Sequence, residues 1–271
     1  MNNASSHIQA IVFDWAGTMI DHGSRAPASV FREIFRRRGV EITEAMAREP
    51  MGMAKRDHIA TISRMPPVAS KWKELFGSDC TEADIDAMYA DFLPLQKETL
   101  AQHLDLIPGV ADAFQQCRQM GLKIGSSTGY TRELMELVVP AAKEQGYDPD
   151  CVLCSEDAPR GRPAPYLLFE AAKRLDVYPM WRVVKVDDTP VGIQAGRNAG
   201  CWTVGITRTG NGVGRSIAEL EALSKGEVDI LCQKAAADLS AAGAHFLLES
   251  AADIAPMIES INKMLSEGDR P

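Results

Sequence analysis

Short apolar runs recur along the chain and are separated by segments with a helical hydrophobic period. Each run is short enough to be a buried strand. The runs are Ile8–Asp14, Leu122–Ser127, Arg182–Val186 and Cys201–Ile206. The segments predicted as helices beside them are Ala111–Met120, Arg132–Glu144, Tyr166–Leu175 and Val191–Ala199. This alternation predicts a doubly wound α/β fold with a parallel sheet, in which ligands bind at the carboxyl ends of the strands.

The interval 24–101 breaks that alternation and has the pattern of several helices in succession. Its first helix has one apolar face and ends at Gly39, and Thr81 is the predicted cap of its last helix. A helical insertion directly after the first strand is expected to fold over the strand ends. We therefore predict a Rossmann-like α/β catalytic core made of residues 1–23 and 102–271, with 24–101 as an inserted helical cap domain.

Composition and charge narrow the functional class. The 271 residues are 45% hydrophobic and 24% charged, with a formal net charge of −8, which argues against nucleic acid or an anionic membrane as a partner. Apolar runs are too short for a membrane span, and Met1–His7 lacks the basic start and apolar run of a signal peptide. The six cysteines include one close pair, Cys151 and Cys154, without the second pair a zinc site needs. We expect a cytoplasmic protein with reduced thiols.

Polar residues follow the predicted strands where a phosphate site would need them. Asp14 ends the first strand, the segment 127–129 (Ser-Thr-Gly) follows the second, and the pair 187–188 (Asp-Asp) follows the third. Arg162 adds a fixed positive charge. Carboxylates suit Mg²⁺, and a strand-end aspartate can attack phosphorus. The simpler alternatives are a turn residue for Asp14 and a helix N-cap for one residue of the acidic pair.

With these residues in this order, the chain closely resembles the haloacid dehalogenase superfamily of phosphotransferases. Its four sequence motifs correspond to Asp14, Thr128, Arg162 and Asp188. The resemblance implies that Asp14 accepts a phosphoryl group and that Mg²⁺ is held beside it. Most members carry a second aspartate two residues after the nucleophile as a general acid and base, but this sequence has Ala16 there. An alcohol leaving group would need that proton donor.

The cap sequence from Pro50 to His58 (PMGMAKRDH) is similar to the signature of the phosphonoacetaldehyde hydrolases within that superfamily. The similarity implies that Lys55 forms a Schiff base with the substrate aldehyde. A protonated imine accepts the electrons of a breaking carbon–phosphorus bond, which removes the need for the missing acid. His58 is three residues from Lys55, so both share a helix face, and we expect it to handle protons or to order water. The alternative for a single lysine is a solvated side chain.

The same resemblance implies further site residues. The backbone carbonyl of Ala16 would join Asp14 and Asp188 as a metal ligand, and Met51, Gly129 and Tyr130 would lie near the substrate. Core packing is the alternative for Met51 and Tyr130. The resemblance also implies a homodimer joined through the cap.

Two positions depart from the family pattern. Ser24 stands where some relatives have cysteine. Gly192 stands where some have an additional aspartate, so a second carboxylate has to come from Asp187 or be absent.

The function these features favour is hydrolysis of phosphonoacetaldehyde to acetaldehyde and phosphate. The alternative within the enzyme class is a phosphatase or phosphomutase acting on a small phosphate ester, which Ala16 disfavours. A noncatalytic α/β binding module would have little reason to keep both Asp14 and Asp188. A dinucleotide-dependent dehydrogenase would need a glycine fingerprint, and the stretch Gly210–Gly214 lacks its spacing, so we interpret that stretch as a flexible loop.

Overall fold

The computed structural model describes residues 7–271 and contains a six-stranded parallel sheet with the strand order β3-β2-β1-β4-β5-β6. The strands are β1 (Ala10–Phe13), β2 (Lys123–Ser127), β3 (Cys151–Leu153), β4 (Val183–Asp187), β5 (Trp202–Ile206) and β6 (Phe246–Leu248). Every residue of β1, β4 and β5 is buried, as expected for strands covered by helices on both faces of a parallel sheet.

Helices connect the strands and form the insertion. The helices of the insertion are α1 (Arg25–Arg36), α2 (Glu44–Arg48), α3 (Lys55–Ser63), α4 (Pro66–Phe76) and α5 (Glu82–Leu100). The helices around the sheet are α6 (Val110–Gln119), α7 (Arg132–Glu144), α8 (Tyr166–Arg174), α9 (Pro190–Ala199), α10 (Ile217–Glu221), α11 (Lys225–Ala241) and α12 (Ile254–Glu267). Short 3₁₀ turns occupy Ser155–Asp157, Met180–Arg182 and Ala251–Asp253.

The predicted doubly wound α/β fold is confirmed. The four predicted strands correspond to β1, β2, β4 and β5, and the helix predicted over Arg132–Glu144 has the same bounds in the structure. The pairing of β1 with β2 and β4 sets Phe13 opposite Ser126 and Val186. The loops after these three central strands therefore leave the sheet at the same edge, where the polar residues were expected to meet.

The insertion has a hydrophobic cluster of its own. The aromatic and aliphatic face predicted for the first helix packs there against α5, and Thr81 caps α5 through a reciprocal capping box with Asp84. The cluster includes Val30, Phe31, Ile34, Phe35, Met88 and Phe92. A separate core is what an inserted domain requires, and the boundaries at 23/24 and 101/102 stay a prediction.

The glycine-rich stretch differs from the flexible loop interpreted from the sequence. The stretch Gly210–Gly214 is a packed turn rather than an exposed flexible loop, because Asn211 is buried and makes hydrogen bonds to two parts of the molecule. A Cβ built on Gly210 or Gly214 would lie within 2.7 Å of neighbouring atoms, so these glycines allow close packing.

In residues 7–271, no helix is long and apolar enough to cross a membrane. The prediction made for Met1–His7 falls almost wholly outside the described residues.

Candidate active site

Asp14 lies at the centre of the sheet edge, directly after β1. Its backbone N–H donates to the carbonyl of Val186 at 2.9 Å, which fixes it between β2 and β4, and its side chain is buried. The chain then turns tightly with Gly17 at a φ of 81°. A Cβ on Gly17 would lie 2.1 Å from Oδ2 of Asp188. Only glycine lets this turn approach Asp188, directly after β4, so closely.

Arg162 reaches Asp14 from the loop before α8. One guanidinium nitrogen, Nη2, lies 2.6 Å from Oδ1 of Asp14 and also donates to the carbonyl and the hydroxyl of Ser127. The other terminal nitrogen, Nη1, lies 3.1 Å from Oδ2 of Asp187. The guanidinium is therefore held in one orientation by three polar residues beside the expected point of reaction.

The segment after β2 forms another wall of the site. The backbone N–H of Thr128 donates to Leu153 at 3.0 Å, and its hydroxyl accepts the N–H of Tyr130 at 3.1 Å. A Cβ on Gly129 would lie 2.5 Å from the carbonyl oxygen of Met53 in the insertion. The insertion is thus closed directly onto this loop.

Three buried carboxylates can hold a metal ion. Each of Asp14, Asp187 and Asp188 offers an oxygen, and the three oxygens lie within 4.8 Å of one another. Oδ2 of Asp188 accepts the N–H of Asn211 at 2.7 Å, while its Oδ1 is buried without a hydrogen-bond partner in the described chain. Burial and the neighbouring carboxylates Asp14 and Asp187 raise the pKa of Asp188 well above its ordinary value. A cation would relieve both the repulsion and the unsatisfied oxygen.

Asp187 has a different environment from Asp188. Its Oδ1 accepts the N–H and hydroxyl of Thr189, and its Oδ2 lies 2.9 Å from Nζ of Lys185 and 3.1 Å from Arg162. Burial alone would raise the pKa of Asp187, but the two cations outweigh it and lower the pKa. The carboxylate is engaged by cations of the chain itself, so it anchors Arg162 and Lys185.

The space that a side chain at position 192 would occupy is filled by Asp187. A Cβ on Gly192 would lie 2.0–2.2 Å from the carboxyl atoms of Asp187, so the Asp187 carboxylate fills that space. Neither aspartate of the pair is a helix N-cap. That alternative was wrong, because Thr189 caps α9 by accepting the N–H of Gly192.

Lys55 is the first residue of α3 and points toward Asp14 from the insertion side. Its Nζ lies 4.8 Å from the ring centre of Tyr130 and 5.7 Å from that of Phe31. Burial lowers the pKa of Lys55 to about 8, against the opposing charge of Asp14. The start of a helix also disfavours a positive charge. Lys55 is therefore a buried amine that is about one tenth neutral at pH 7, far more than a lysine at its ordinary pKa.

His58 lies behind Lys55, inside the insertion. Its ring stacks on Phe31 with centres 3.6 Å apart, and Nε2 donates to the carbonyl of Ala47 at 2.9 Å. Burial, followed by the charge of Lys55, lowers its pKa well below the ordinary value, so it is neutral. Its Nδ1 has no hydrogen-bond partner in the described residues. A direct proton-transfer role for His58 stays a prediction.

Most of the predicted site residues converge on one small cavity of about 20 Å³. Its lining consists of Asp14, Ala16, Ser24, Pro27, Met51, Gly52, Lys55, Thr128, Gly129, Tyr130, Arg162 and Thr189. His58 and Asp188 are not in this lining. Met53 is also outside this lining, and its sulfur lies 3.8 Å from the hydroxyl of Thr61.

Three residues of this region were not predicted from the sequence. Lys185 is fully buried, and its signal was a lysine in the middle of an otherwise apolar strand. Arg48 and Asn211 join the insertion to the acidic cluster, because Asn211 contacts both Arg48 and Asp188. Nothing in their local sequence distinguishes them, because their contact spans 163 positions of the chain.

Comparisons with known proteins agree on one family. The haloacid dehalogenase-like hydrolase family model matches residues 8–200. Phosphonoacetaldehyde hydrolase from Paraburkholderia phytofirmans is 44% identical over 98% of this chain and 99% of its own. The enzyme of the same name from Paraburkholderia xenovorans is 43% identical over the same shares. The crystal structure of a phosphonoacetaldehyde hydrolase like protein from Oleispira antarctica superposes with a TM-score of 0.95 at 39% identity, covering 100% of both chains.

Proposed function

The chain belongs to the phosphonoacetaldehyde hydrolases within the haloacid dehalogenase-like hydrolases, and from this premise we propose that it cleaves the carbon–phosphorus bond of phosphonoacetaldehyde. The products are acetaldehyde and phosphate. The observation that carries the proposal is Lys55, a buried amine with a pKa of about 8 in the same cavity as Asp14. Hydrolysis of a phosphate ester has no step that needs a neutral amine, whereas an aldehyde substrate can condense with one.

Lys55 begins the reaction by condensing with the aldehyde, which releases water and gives a protonated imine. The carboxylate of Asp14 then attacks phosphorus. The electron pair of the breaking carbon–phosphorus bond moves into the imine and gives an enamine, so no proton donor is required at Ala16. Water next hydrolyses the aspartyl phosphate to phosphate. Protonation of the enamine carbon and hydrolysis of the resulting imine release acetaldehyde and restore Lys55.

Two groups position the phosphonate during attack. Arg162 lies 2.6 Å from Oδ1 of Asp14, so a phosphonate oxygen beside Asp14 falls within reach of the guanidinium. Thr128 and Gly129 line the same cavity. Tyr130 lies beside Lys55, and buried Met51 lines the cavity with them, so the surroundings of the amine are largely apolar.

The metal proposed for this site is Mg²⁺, held by Asp14 and Asp188 together with the backbone carbonyl of Ala16. The unsatisfied, buried Oδ1 of Asp188 supports this assignment. Mg²⁺ would neutralise negative charge between the phosphonate and the attacking carboxylate. Asp187 is not assigned as a ligand, because both of its oxygens are engaged by Thr189, Lys185 and Arg162.

The homodimer expected through the cap is part of the proposal. Leu75 and Phe76, at the end of α4 in the insertion, are 45% and 50% exposed, which supports an apolar contact there. Sedimentation of wild type against a Leu75→Ser/Phe76→Ser variant tests it, and a wild-type monomer contradicts it. The cytoplasmic location inferred from the sequence stays a prediction.

The function is tested by measuring phosphate release from phosphonoacetaldehyde and from p-nitrophenyl phosphate, with Mg²⁺ present. We expect the wild type to cleave the phosphonate and the Asp14→Asn variant to release no phosphate, while an Asp229→Asn variant, changed at an exposed carboxylate of α11, keeps full activity. Preferential hydrolysis of p-nitrophenyl phosphate would instead support the ester-phosphatase alternative.

A further inference from the structure

Arg48, the last residue of α2, joins the insertion to the core through several hydrogen bonds. Its Nη1 donates to the carbonyls of Gly23 and Ser24 at 2.8 and 3.2 Å, within the linker that leads into α1. Its Nη2 donates to the carbonyl of Gly214 at 3.0 Å, in the core. The guanidinium therefore ties α2 to the linker and to the core turn at once.

Asn211 completes this junction from the core side. Its Oδ1 accepts from Nη1 of Arg48 at 3.1 Å, and its Nδ2 donates to the backbone carbonyl of Arg48 at 3.2 Å. The side chain of Asn211 thus binds both the guanidinium group and the backbone carbonyl of Arg48. The backbone N–H of Asn211 donates to Oδ2 of Asp188 at 2.7 Å. A single core residue therefore contacts both the insertion and the carboxylate expected to hold the metal.

The turn that carries Asn211 fits closely around these groups. A Cβ on Gly214 would lie 2.7 Å from Cζ of Arg48, and a Cβ on Gly210 would lie 2.6 Å from Cβ of Asp188. Any shift of the guanidinium or of the aspartate is consequently transmitted to the turn. Close-packed contacts of this kind have few intermediate positions.

Opening of the insertion is required for substrate entry, since the closed cavity of about 20 Å³ holds roughly one water molecule. A much larger cleft of about 640 Å³ lies beside this junction, and its wall includes Arg48, Asn211 and Asp188. The Arg48–Asn211 contact therefore stands at a boundary between insertion and core where the two have room to separate.

We infer that Arg48 and Asn211 form a latch that couples closure of the helical insertion to occupation of the metal site at Asp188. Closure and metal binding then favour each other, because both require the same position of the Asn211 turn. By reciprocity, the factor by which Mg²⁺ favours closure equals the factor by which closure tightens Mg²⁺ binding. The inference rests on the proposed function for its metal, and Arg48 and Asn211 act in it as positioning residues.

The test is hydrogen–deuterium exchange of the full-length protein, followed by mass spectrometry, with and without Mg²⁺. We expect Mg²⁺ to slow exchange in peptides that cover the linker 20–25 and the loop 49–54 of the wild type. In Arg48→Met and Asn211→Ala, exchange there should rise by at least about fivefold and lose its response to Mg²⁺. Calorimetry should show Mg²⁺ affinity weakened by the factor by which Mg²⁺ slows exchange in the wild type, although Arg48 makes no hydrogen bond to the acidic cluster in the described residues.

Matched variants keep the result interpretable. Arg36→Met, which removes an exposed arginine paired with Glu33 on its own helix, should behave as wild type. Arg48→Lys should exchange nearly as fast as Arg48→Met, because one ammonium group cannot reach all the acceptors that the guanidinium group contacts. A Mg²⁺ response that survives in Asn211→Ala overturns the coupling, and exchange that is unchanged in Arg48→Met overturns the latch. These measurements need no substrate, so a wild type that fails to cleave phosphonoacetaldehyde would refute the proposed function without deciding this result.

Discussion

Three buried cations lie near Asp14, and their surroundings give each a different chemistry. Arg162 is paired with Asp14 and Asp187, and Lys185 is paired with Asp187. Lys55 has aromatic rings as its nearest partners and, among the described residues, no carboxylate within ion-pair distance. The carboxylates Asp14 and Asp187 raise the pKa of Arg162, so it stays charged. Burial lowers the pKa of both lysines, but Lys185 is ion-paired with Asp187, whereas Lys55 lines the cavity beside Asp14 and can react there as an amine.

The pH dependence of the reaction should follow Lys55. Because imine formation needs the free amine, kcat/KM should rise about tenfold per pH unit below a pKa of about 8 and level off above it. Borohydride added with acetaldehyde should inactivate the enzyme and add the mass of an ethyl group to the peptide that contains Lys55. Lys55→Arg should lose nearly all activity, while Lys71→Arg, at an exposed site on α4, should retain it. Labelling of another lysine would refute the Schiff base.

Removal of the Asp188 carboxylate should abolish tight metal binding. We expect Asp188→Asn to weaken the Kd for Mg²⁺ at least about tenfold in a calorimetric titration, since a hard cation loses an anionic oxygen. Asp238→Asn changes an exposed carboxylate in the wall of the same large cleft and should leave the Kd unchanged. Equal Mg²⁺ affinity in the wild type and in Asp188→Asn would show that the metal does not bind at the acidic cluster.

Part of the site could be predicted because its residues follow strands, and parallel strands end at one edge. Asp14, Thr128 and Asp188 were identified in that way, whereas Lys55, Met51 and Tyr130 were predicted only from the resemblance to a family. Lys185 was not predicted, because its partners Ser127 and Asp187 are defined only by the folded sheet. The relation between Asp187 and Gly192 was also left open, since a sequence does not show which side chain fills a given space.

At the scale of elements, the short strands escaped prediction. β3 and β6 have three residues each, which is too few for a hydrophobic period to appear. They are strands because they extend a sheet whose central strands are already aligned. The strands β1, β2, β4 and β5, by contrast, have four or five residues each and carry apolar runs, and their prediction succeeded.

The end of β4 and the first turn of α9 share one carboxylate position, and this can be tested by exchanging its source. Asp187→Gly should destabilise the fold by about 3–5 kcal/mol, because Lys185 and Arg162 lose their common buried partner. Gly192→Asp should also destabilise it, since the new side chain meets Asp187 within 2.2 Å. The double variant should recover much of the loss, because the carboxylate at 192 then occupies the space that Asp187 left.

Urea unfolding of the four proteins gives the interaction energy between the two positions. The expected result is a strongly favourable coupling, with the double variant more stable than either single variant. Additive losses would mean that a carboxylate at 192 does not replace Asp187. Asp176→Gly provides a control at a surface aspartate beyond α8, where the positive φ of 51° suits glycine.

For the whole molecule, the position of the insertion over the sheet edge followed from its place in the sequence, but its closed contacts did not. Gly129 packs against the carbonyl of Met53, and Gly161 packs against Ala54. These glycines belong to core loops, and Met53 and Ala54 belong to the insertion. Their pairing depends on how two separately packed units meet, which no local pattern encodes.

The closed arrangement has to open in every turnover, and a disulfide across the interface can test this. A Cβ built on Gly161 lies 3.2 Å from Cβ of Ala54. Disulfides usually join Cβ atoms about 3.5–4.5 Å apart, so a small shift accommodates a bond between cysteines at the two positions. We expect oxidised Ala54→Cys/Gly161→Cys to lose nearly all activity toward phosphonoacetaldehyde, because substrate cannot enter a cavity of about 20 Å³.

Reduction should restore the activity of the same sample, which separates locking from damage by the substitutions. Each single cysteine variant, treated with the same oxidant, should stay active and control for the six native thiols. Full activity of the verified disulfide form would show that substrate reaches Lys55 and Asp14 without movement of the insertion.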